Sequence, residues 1–402
     1  MYPDKNIPES FCTAPWAATY VDPTGDVRPC CIYRGSVGNI NENSFDEILN
    51  SDKMKQLKKE LIKGEKPEEC SICWEQEKIS PGTSFQKTMK RRFYNSIPNM
   101  INETYDTLLY WDLRPSNSCN FGCLMCCNDL SSGHWQLNTD LNRPNVLEQK
   151  FVEVNKNGFD DVIDKMKSVL SNITEEEKEQ YFHIYFAGGE PLLLEHHRNM
   201  LMWLIESGND NIKIRYNTNC STIKYKGTDF IEIWKNWKVP IEIDASIDSS
   251  GIVGEYQRYG SSWKSIKNNL IKLADCDNID LTYNIVVSFI TYNNLVETIN
   301  ELEKINGTSL KDKVRFNHVN SNRFDIRMIP KEKLNIDILN RLDKRGYDVK
   351  QLYDVINSYD SFLYNKKSVW NELISLFDDL KRVKNKDIYS MLPWIQDIKD
   401  SI

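Results

Sequence analysis

Three cysteines, Cys119, Cys123 and Cys126, lie in the run CNFGCLMC, just past the hydrophobic segment TLLYWDLR. Their spacing, Cys-x3-Cys-x2-Cys, is asymmetric. Three thiolates can hold three irons of a cubic four-iron cluster and leave the fourth iron open. An open iron in a reducing cluster can bind a small molecule and pass it one electron. A closed structural site needs a fourth ligand, and zinc sites draw mostly on two matched pairs. Cys127 is next in line, but adjacent residues rarely point at one cubane. The competing reading is a chance group of buried or zinc-binding cysteines.

A second constellation precedes the first. Cys12, Gly25 and Cys30 follow the pattern Cys-x12-Gly-x4-Cys, and Cys70-x2-Cys73 comes later. Asp22-Pro23-Thr24-Gly25 signals a hairpin between two short apolar strands. That hairpin would bring Cys12 and Cys30 together, and a helical stretch over 44–63 would deliver Cys70 and Cys73. Four thiolates can close either a zinc site or a fully ligated four-iron cluster, and spacing alone does not choose. Cys31 is a possible substitute for Cys30.

The elements that must position these residues are legible along the chain. Strand patterns rich in Ile, Val, Phe and Tyr fall at 107–113, 182–187, 212–217, 239–246, 279–289 and 313–319. Helical patterns at 191–207, 228–237, 261–275 and 293–305 alternate with them. Six β/α units predict an α/β fold with a parallel sheet curved into a partial (β/α)6 barrel. The expected organisation is a metal-binding module over 1–85, a polar connector over 86–104, the barrel over 105–330 and a helical segment over 331–402. The connection 128–180 reads as an insertion with a helix near 159–171. Lys87, Lys90, Arg91 and Arg92 read as a solvated helix face or linker.

In such folds the working residues collect at the C-terminal ends of strands. The three-cysteine loop follows the first expected strand. Ala187-Gly188-Gly189-Glu190-Pro191 follows the second, Asn217-Thr218-Asn219 ends the third and Ser246-Ile247-Asp248 ends the fourth. Paired glycines let backbone approach a ligand closely. Read conservatively, Gly-Gly-Glu-Pro is a strand-to-helix turn with Pro at the first helical position. Cys220 and His318 also fall at strand ends, while Cys276 reads as structural. The five histidines show no metal-ligand spacing.

The 402 residues are enough for two or three units. A net charge of −7 argues against a general nucleic-acid binder. No stretch approaches the ~20 apolar residues of a membrane span, and the start MYPDKNIPESFC lacks a signal-peptide pattern. The expectation is a cytoplasmic protein. There, eleven cysteines read as metal ligands and thiols instead of a disulfide scaffold.

The three-cysteine loop resembles the cluster motif of the radical S-adenosylmethionine (SAM) enzymes. The resemblance implies a [4Fe-4S] cluster on Cys119, Cys123 and Cys126 whose open iron chelates SAM. It implies reductive cleavage to a 5′-deoxyadenosyl radical that takes hydrogen from a substrate. By the same resemblance, Gly188, Gly189, Glu190 and Pro191 match a Gly-Gly-Glu-Pro motif that receives the SAM ammonium. Asn219, with Cys220 in place of a glycine, matches a Thr-Asn-Gly turn. Ser246 and Asp248 match a Ser-x-Asp run near the SAM carboxylate or ribose, and Arg258 matches an arginine that contacts SAM. Met125 stands where an aromatic residue is common beside adenine; a thioether also packs on a flat ring.

The first 85 residues resemble the twitch module, the shorter relative of the SPASM domain. This implies an auxiliary [4Fe-4S] cluster on Cys12, Cys30, Cys70 and Cys73, with zinc as the alternative. Most such modules follow the barrel; this one precedes it. RPSNSCNFGCLMC and the later SSGHW are also similar to twitch-containing radical SAM proteins.

The implied function is a radical SAM oxidoreductase or maturase acting on a peptide, a protein side chain or a sugar-like molecule. Its electron would come from a flavodoxin- or ferredoxin-like donor. The auxiliary cluster would accept an electron from the substrate or help bind it. Two alternatives accompany this reading. One is an epimerase in which Cys220 returns a hydrogen atom. The other is a zinc-stabilised scaffold or electron-transfer protein without catalysis.

Overall fold

The computed structural model describes residues 7–79, 81–102, 104, 107–319, 323–359 and 366–402. Residues 1–6 of the start MYPDKNIPESFC lie outside the described residues. In chain order the strands are β1 (Ala18–Val21), β2 (Asp26–Arg28), β3 (Gly38–Asn39), β4 (Tyr110–Leu113), β5 (Gly122–Cys123), β6 (His183–Phe186) and β7 (Lys213–Thr218). There follow β8 (Lys224–Tyr225), β9 (Thr228–Asp229), β10 (Ile241–Ser246), β11 (Arg258–Tyr259), β12 (Ile279–Val287) and β13 (Val314–His318). All six expected barrel strands are present within a few residues of their expected bounds, and helices alternate with them. The fold is of the α/β class with parallel strands.

Two compact units divide the chain. The first comprises Met1–Asn117, Phe151–Arg215 and Trp237–Val239; the second comprises Ser118–Lys150, Tyr216–Asn236 and Pro240–Ile402.

In the first unit β4 is flanked by two parallel neighbours, β1 on one side and β6 on the other. β1 turns back into antiparallel β2, and β2 into β3. The N-terminal hairpin thus extends the same layer of strands as β4. Asp22 makes the turn by accepting from the Thr24 amide at 2.9 Å, and Gly25 takes φ +88° where a Cβ would strike Asn41. Strand alternation sorts the faces. Tyr20, Asp112 and Tyr185 form one cross-strand row, with Ala18, Tyr110 and His183 beside it. Val21, Leu113 and Phe186 lie on the opposite face and are buried.

The stretch expected as one helix over 44–63 is two, Phe45–Leu49 and Asp52–Lys63. Ser44 and Ser51 each accept from an amide in the following turn, so the second cap restarts the helix. The expected connector differs more. Phe85–Arg92 is a helix with Gln86, Met89 and Lys90 buried. Lys90 donates to the Pro8 carbonyl at 2.9 Å, and Gln86 donates to the carbonyls of Glu9 and Phe11. Within the basic run Lys90 thus turns inward, while Arg91 stays exposed. Two of its helix's long side chains are spent holding the backbone that leads into Cys12.

In the second unit β10, β12 and β13 run parallel. Apolar residues Ile243, Leu281, Ile285 and Phe316 occupy one face. Asp244 and Thr282, then Ser246, Asn284 and Arg315, form polar rows on the other. The C-terminal segment supplies helices Asp337–Lys344, Lys350–Asn357, Lys366–Lys384, Ile388–Met391 and Trp394–Ser401. Among them Trp370, Phe377 and Trp394 pack around Phe289, just past β12. No described helix is long and apolar enough to cross a membrane.

Candidate metal centres

In the first unit, four separate elements bring thiols together. Cys12 precedes the short helix Ala14–Ala17, and Cys30 follows β2. Cys70 closes a 3-10 turn, and Cys73 sits in the first turn of Ser71–Ile79. Cys12 acts electrostatically on Cys30 and Cys70, and Cys73 acts on both Cys12 and Cys70. The set is therefore contiguous. Burial pushes the Cys12 thiol up to about 12 and Cys30 and Cys70 well above the usual thiol range. Buried thiols without a cation stay protonated; a metal ion reverses that preference. Cys73 is raised by burial, but the Phe85 and Gln86 amides at the start of the connector helix donate to it. Such donors favour a thiolate.

After burial, the main electrostatic neighbours of Cys31 are Asp112 and Arg114, and it also acts with Cys73 and Cys30. It borders both the thiol set and the polar row of β1, β4 and β6, so the choice between Cys30 and Cys31 as ligand stays open. Arg114 binds Asp112 through two hydrogen bonds, at 2.9 and 3.0 Å, and lies over Tyr20 and Tyr185. Burial raises Asp112, and Arg114 opposes that shift. Sequence reasoning missed this group, although the alternation of YWDL put Asp112 opposite the apolar face.

Also in this unit, Gly188 has φ +98°, and a Cβ there would lie 2.8 Å from Arg114 Cβ. Glu190 is buried and accepts from the Leu192 amide at 3.2 Å, capping the turn Pro191–Leu193. Gly-Gly-Glu-Pro therefore makes the turn that follows β6, with one Glu190 oxygen capping it.

The second unit carries the three-cysteine loop, buttressed on two sides. On one side stands Ser132–Asp140, the helix that begins within SSGHW. The Ser132 hydroxyl accepts from the Cys119 amide at 3.0 Å, and Ser131 donates to the Phe121 carbonyl at 2.8 Å. His134 Nδ1 lies 2.9 Å from the Cys123 carbonyl. A Cβ on Gly133 would come within 2.4 Å of the Phe121 carbonyl, so only glycine permits this approach. On the other side β5 pairs antiparallel with β11, with Cys123 opposite Arg258. The Leu124 amide donates to the Gln257 carbonyl at 2.9 Å.

Burial pushes the Cys123 thiol up to about 12, with Arg258 pulling it down and Cys119 and Asp248 adding to the rise. Cys126 rises through its contact with Cys127, then through burial and its neighbours Cys123 and Cys119. The three thiols are therefore mutual neighbours, while Cys127 is exposed. Among the described residues, no three metal-ligating side chains are already drawn to ligand spacing. The fit rests on donor chemistry: each set is sulfur-rich, contiguous and partly withdrawn from water.

Several expected cofactor contacts are occupied within the second unit. Asp248 is 1 % exposed; it accepts from Arg258 at 2.7 Å, Gln257 at 2.8 Å and the Val286 amide at 3.3 Å. It holds Arg258 instead of lining an open surface. Asn219 donates to Asn120 of the cysteine loop at 3.0 Å and accepts from the Ser221 amide at 2.8 Å. Its placement ties two strand-end loops together. Ser246 donates to Asn217 at 3.0 Å, and Met125 is half-buried on the loop. Cys220 is fully buried in a left-handed turn at φ +55°. Its electrostatic influence falls on Tyr283, on the apolar face of β12. His318 lies on the apolar face of β13 and bonds Asp325 at 3.0 Å.

Residues 12–74 match the family model of SPASM, an iron–sulfur cluster-binding domain. The matched segment contains Cys12, Cys30, Cys31, Cys70 and Cys73. Similar solved structures include anSMEcpe with bound AdoMet (18% identity, TM-score 0.37, 61% of each chain). Another is anSMEcpe with AdoMet and the Cp18Cys peptide (16% identity, TM-score 0.37, 61% of this chain and 60% of that one). TYW1 with a lysine–pyruvate adduct also matches (14% identity, TM-score 0.30, 60% and 70%). The chain spans about three-fifths of the length of the anSMEcpe structures. No curated protein matches the chain.

Proposed function

We propose that this protein is a radical SAM enzyme with an N-terminal auxiliary iron–sulfur module. The observation that supports the reading is the Cys119/Cys123/Cys126 loop, three thiols on one short segment braced at its backbone on both sides. Three thiolates suit a four-iron cluster with one open iron; four would close it. When bound there, such a cluster supplies one electron to SAM and yields a 5′-deoxyadenosyl radical able to take hydrogen from a substrate. The chain's own part is to fix the loop. Ser131, Ser132 and His134 hold its carbonyls and amide, and Arg258 supplies a cation beside Cys123. Half-buried packing limits water at the sulfurs.

The Cys12, Cys30, Cys70 and Cys73 set supports the auxiliary cluster, because the matched domain binds iron–sulfur clusters. Its role in this reading is to take an electron from the substrate or help bind it, which favours an oxidative outcome. The substrate class is a peptide, a protein side chain or a sugar-like molecule, and the electron donor is flavodoxin- or ferredoxin-like. The epimerase alternative loses support from the burial of Cys220.

Anaerobic reconstitution followed by iron, sulfide and zinc assay tests the reading, with 5′-deoxyadenosine formation from SAM in the same sample. About eight irons and eight sulfides per chain with 5′-deoxyadenosine supports both centres. About four irons and one zinc would make the N-terminal set structural. No iron would overturn the enzyme reading.

A further inference from the structure

Arg258 stands out in the second unit because nearly everything around it serves to fix it. Its backbone pairs with Cys123 across the β5–β11 bridge. Its guanidinium is 15 % exposed and donates to Asp248 at 2.7 Å. The other Asp248 oxygen accepts from Gln257, and the Ser288 hydroxyl donates to the Gln257 side-chain oxygen. Ser288 lies just beyond β12, so this chain of bonds anchors the guanidinium to the sheet. Nε of Arg258 is buried and has no hydrogen-bond partner among the described residues. Burial works against its charge, and Asp248 with the Cys123 and Cys126 sulfurs outweighs that penalty.

A surface arginine meant to catch a passing anion is held loosely; this one is locked before any ligand arrives. We propose that Arg258 is a positioning residue for reduction: a fixed cation, oriented by Asp248 and Gln257, that stabilises the one-electron-reduced state of the centre on Cys119, Cys123 and Cys126. The proposal rests on the reading of that loop as a four-iron site. Reduction adds one electron and no proton, making a thiolate-ligated centre one unit more negative. A cation in a low-dielectric setting favours the more negative state, as does an N–H donor left over for sulfur. This differs from a SAM contact: the effect is present without SAM.

The test is an EPR-monitored potentiometric titration with dithionite on reconstituted full-length protein, without SAM. The loop wave is identified by its loss in Cys123→Ala, and the N-terminal wave is the internal control. In Arg258→Gln the reduced-to-oxidised ratio at the wild-type midpoint should fall at least tenfold, a 59 mV downward shift for one electron. Arg258→Lys should fall less than threefold. Gln257→Leu changes no charge but removes the bond that fixes the second Asp248 oxygen, so its wave should move downward by less than in Arg258→Gln. Arg258→Lys, which keeps the cation, separates charge from general loosening of the loop. If Arg258→Gln loads iron and its loop wave stays put, or Arg258→Lys falls as far as Arg258→Gln, the proposal is overturned. If Arg258→Gln does not load, Gln257→Leu decides: a downward shift supports the proposal and an unmoved wave overturns it. Wild-type protein without loop iron would overturn the underlying reading and this proposal together.

Discussion

The two thiol sets are built in opposite ways. The N-terminal set gathers residues 12, 30, 70 and 73 from four elements, and a helix at 85–92 braces it from outside. The loop set takes three residues from eight consecutive positions and is braced at its backbone. A centre assembled from distant segments is itself a cross-link, so metal binding and folding are coupled. A centre on one short loop adds little to the fold and can be specialised for electron transfer. The local charge agrees. Cys123 has an arginine fixed by Asp248 beside it, whereas the N-terminal thiols act mainly on one another, with Lys90 acting on Cys12 and Glu69 and Glu60 on Cys70.

Cysteine substitutions break this contrast most sharply. Cys123→Ala should remove about four of about eight irons and all 5′-deoxyadenosine formation, with little change in Tm. Cys73→Ala should leave 5′-deoxyadenosine formation in place, abolish substrate turnover and lower Tm clearly. Iron assay and calorimetry on the two variants check this. Equal Tm losses would erase the distinction.

Next in size is Gly133→Ala, whose Cβ would meet a backbone carbonyl that cannot step aside. The expected effect is loss of loop iron with the N-terminal wave intact, seen by EPR; the strain is on the order of 1–3 kcal/mol. Lys90→Met would remove a buried donor from the Pro8 carbonyl and should cost about 1–3 kcal/mol in chemical denaturation. Its iron loss should fall on the N-terminal set alone.

Smaller effects come from pH. In metal-free protein Cys12 and Cys123 titrate near 12, above the ordinary thiol value of 9. A raised folded value means stability is complete below the unfolded value and drains away as pH rises through the folded one. Apo protein should therefore lose stability from about pH 9 toward 12, and loaded protein should not, because its thiols are already deprotonated. Asp325 gives the reverse sign. Burial would raise it, but His318 and Arg327 hold it at about 2. Its contribution, about 2 kcal/mol, is present above the unfolded value and lost as pH falls through about 2. Asp325→Asn should flatten that acid limb in a Tm-against-pH series.

Much of this was readable in the residues, for physical reasons. Runs such as IDLTYNIVV and IEIDAS alternate strictly, so their strands and faces followed from the pleat. Cysteine spacing separated the two sets, and the Asp22–Gly25 turn was written in its residue types. What escaped was whatever depends on a distant partner. Nothing in FQKTMKRR announces that Gln86 and Lys90 turn inward to the carbonyls of Pro8, Glu9 and Phe11. Nothing in the strand-end Ser-x-Asp run announces that Asp248 pairs with Gln257 and Arg258, which come from a later turn. Cys220 shared the same strand-end position, and a left-handed turn put its thiol inside.

The parallel pairing of β1 with β4 has a consequence for how the chain is made. The hairpin through Arg28 leaves the ribosome roughly eighty residues before Tyr110, its neighbour in the sheet, has been synthesised. During that interval β1 has an open edge, a template for pairing with another nascent copy. Truncating the chain before residue 86 would transfer the same hazard to β4 permanently. Expression of such a fragment should yield aggregates, however complete its remaining strands.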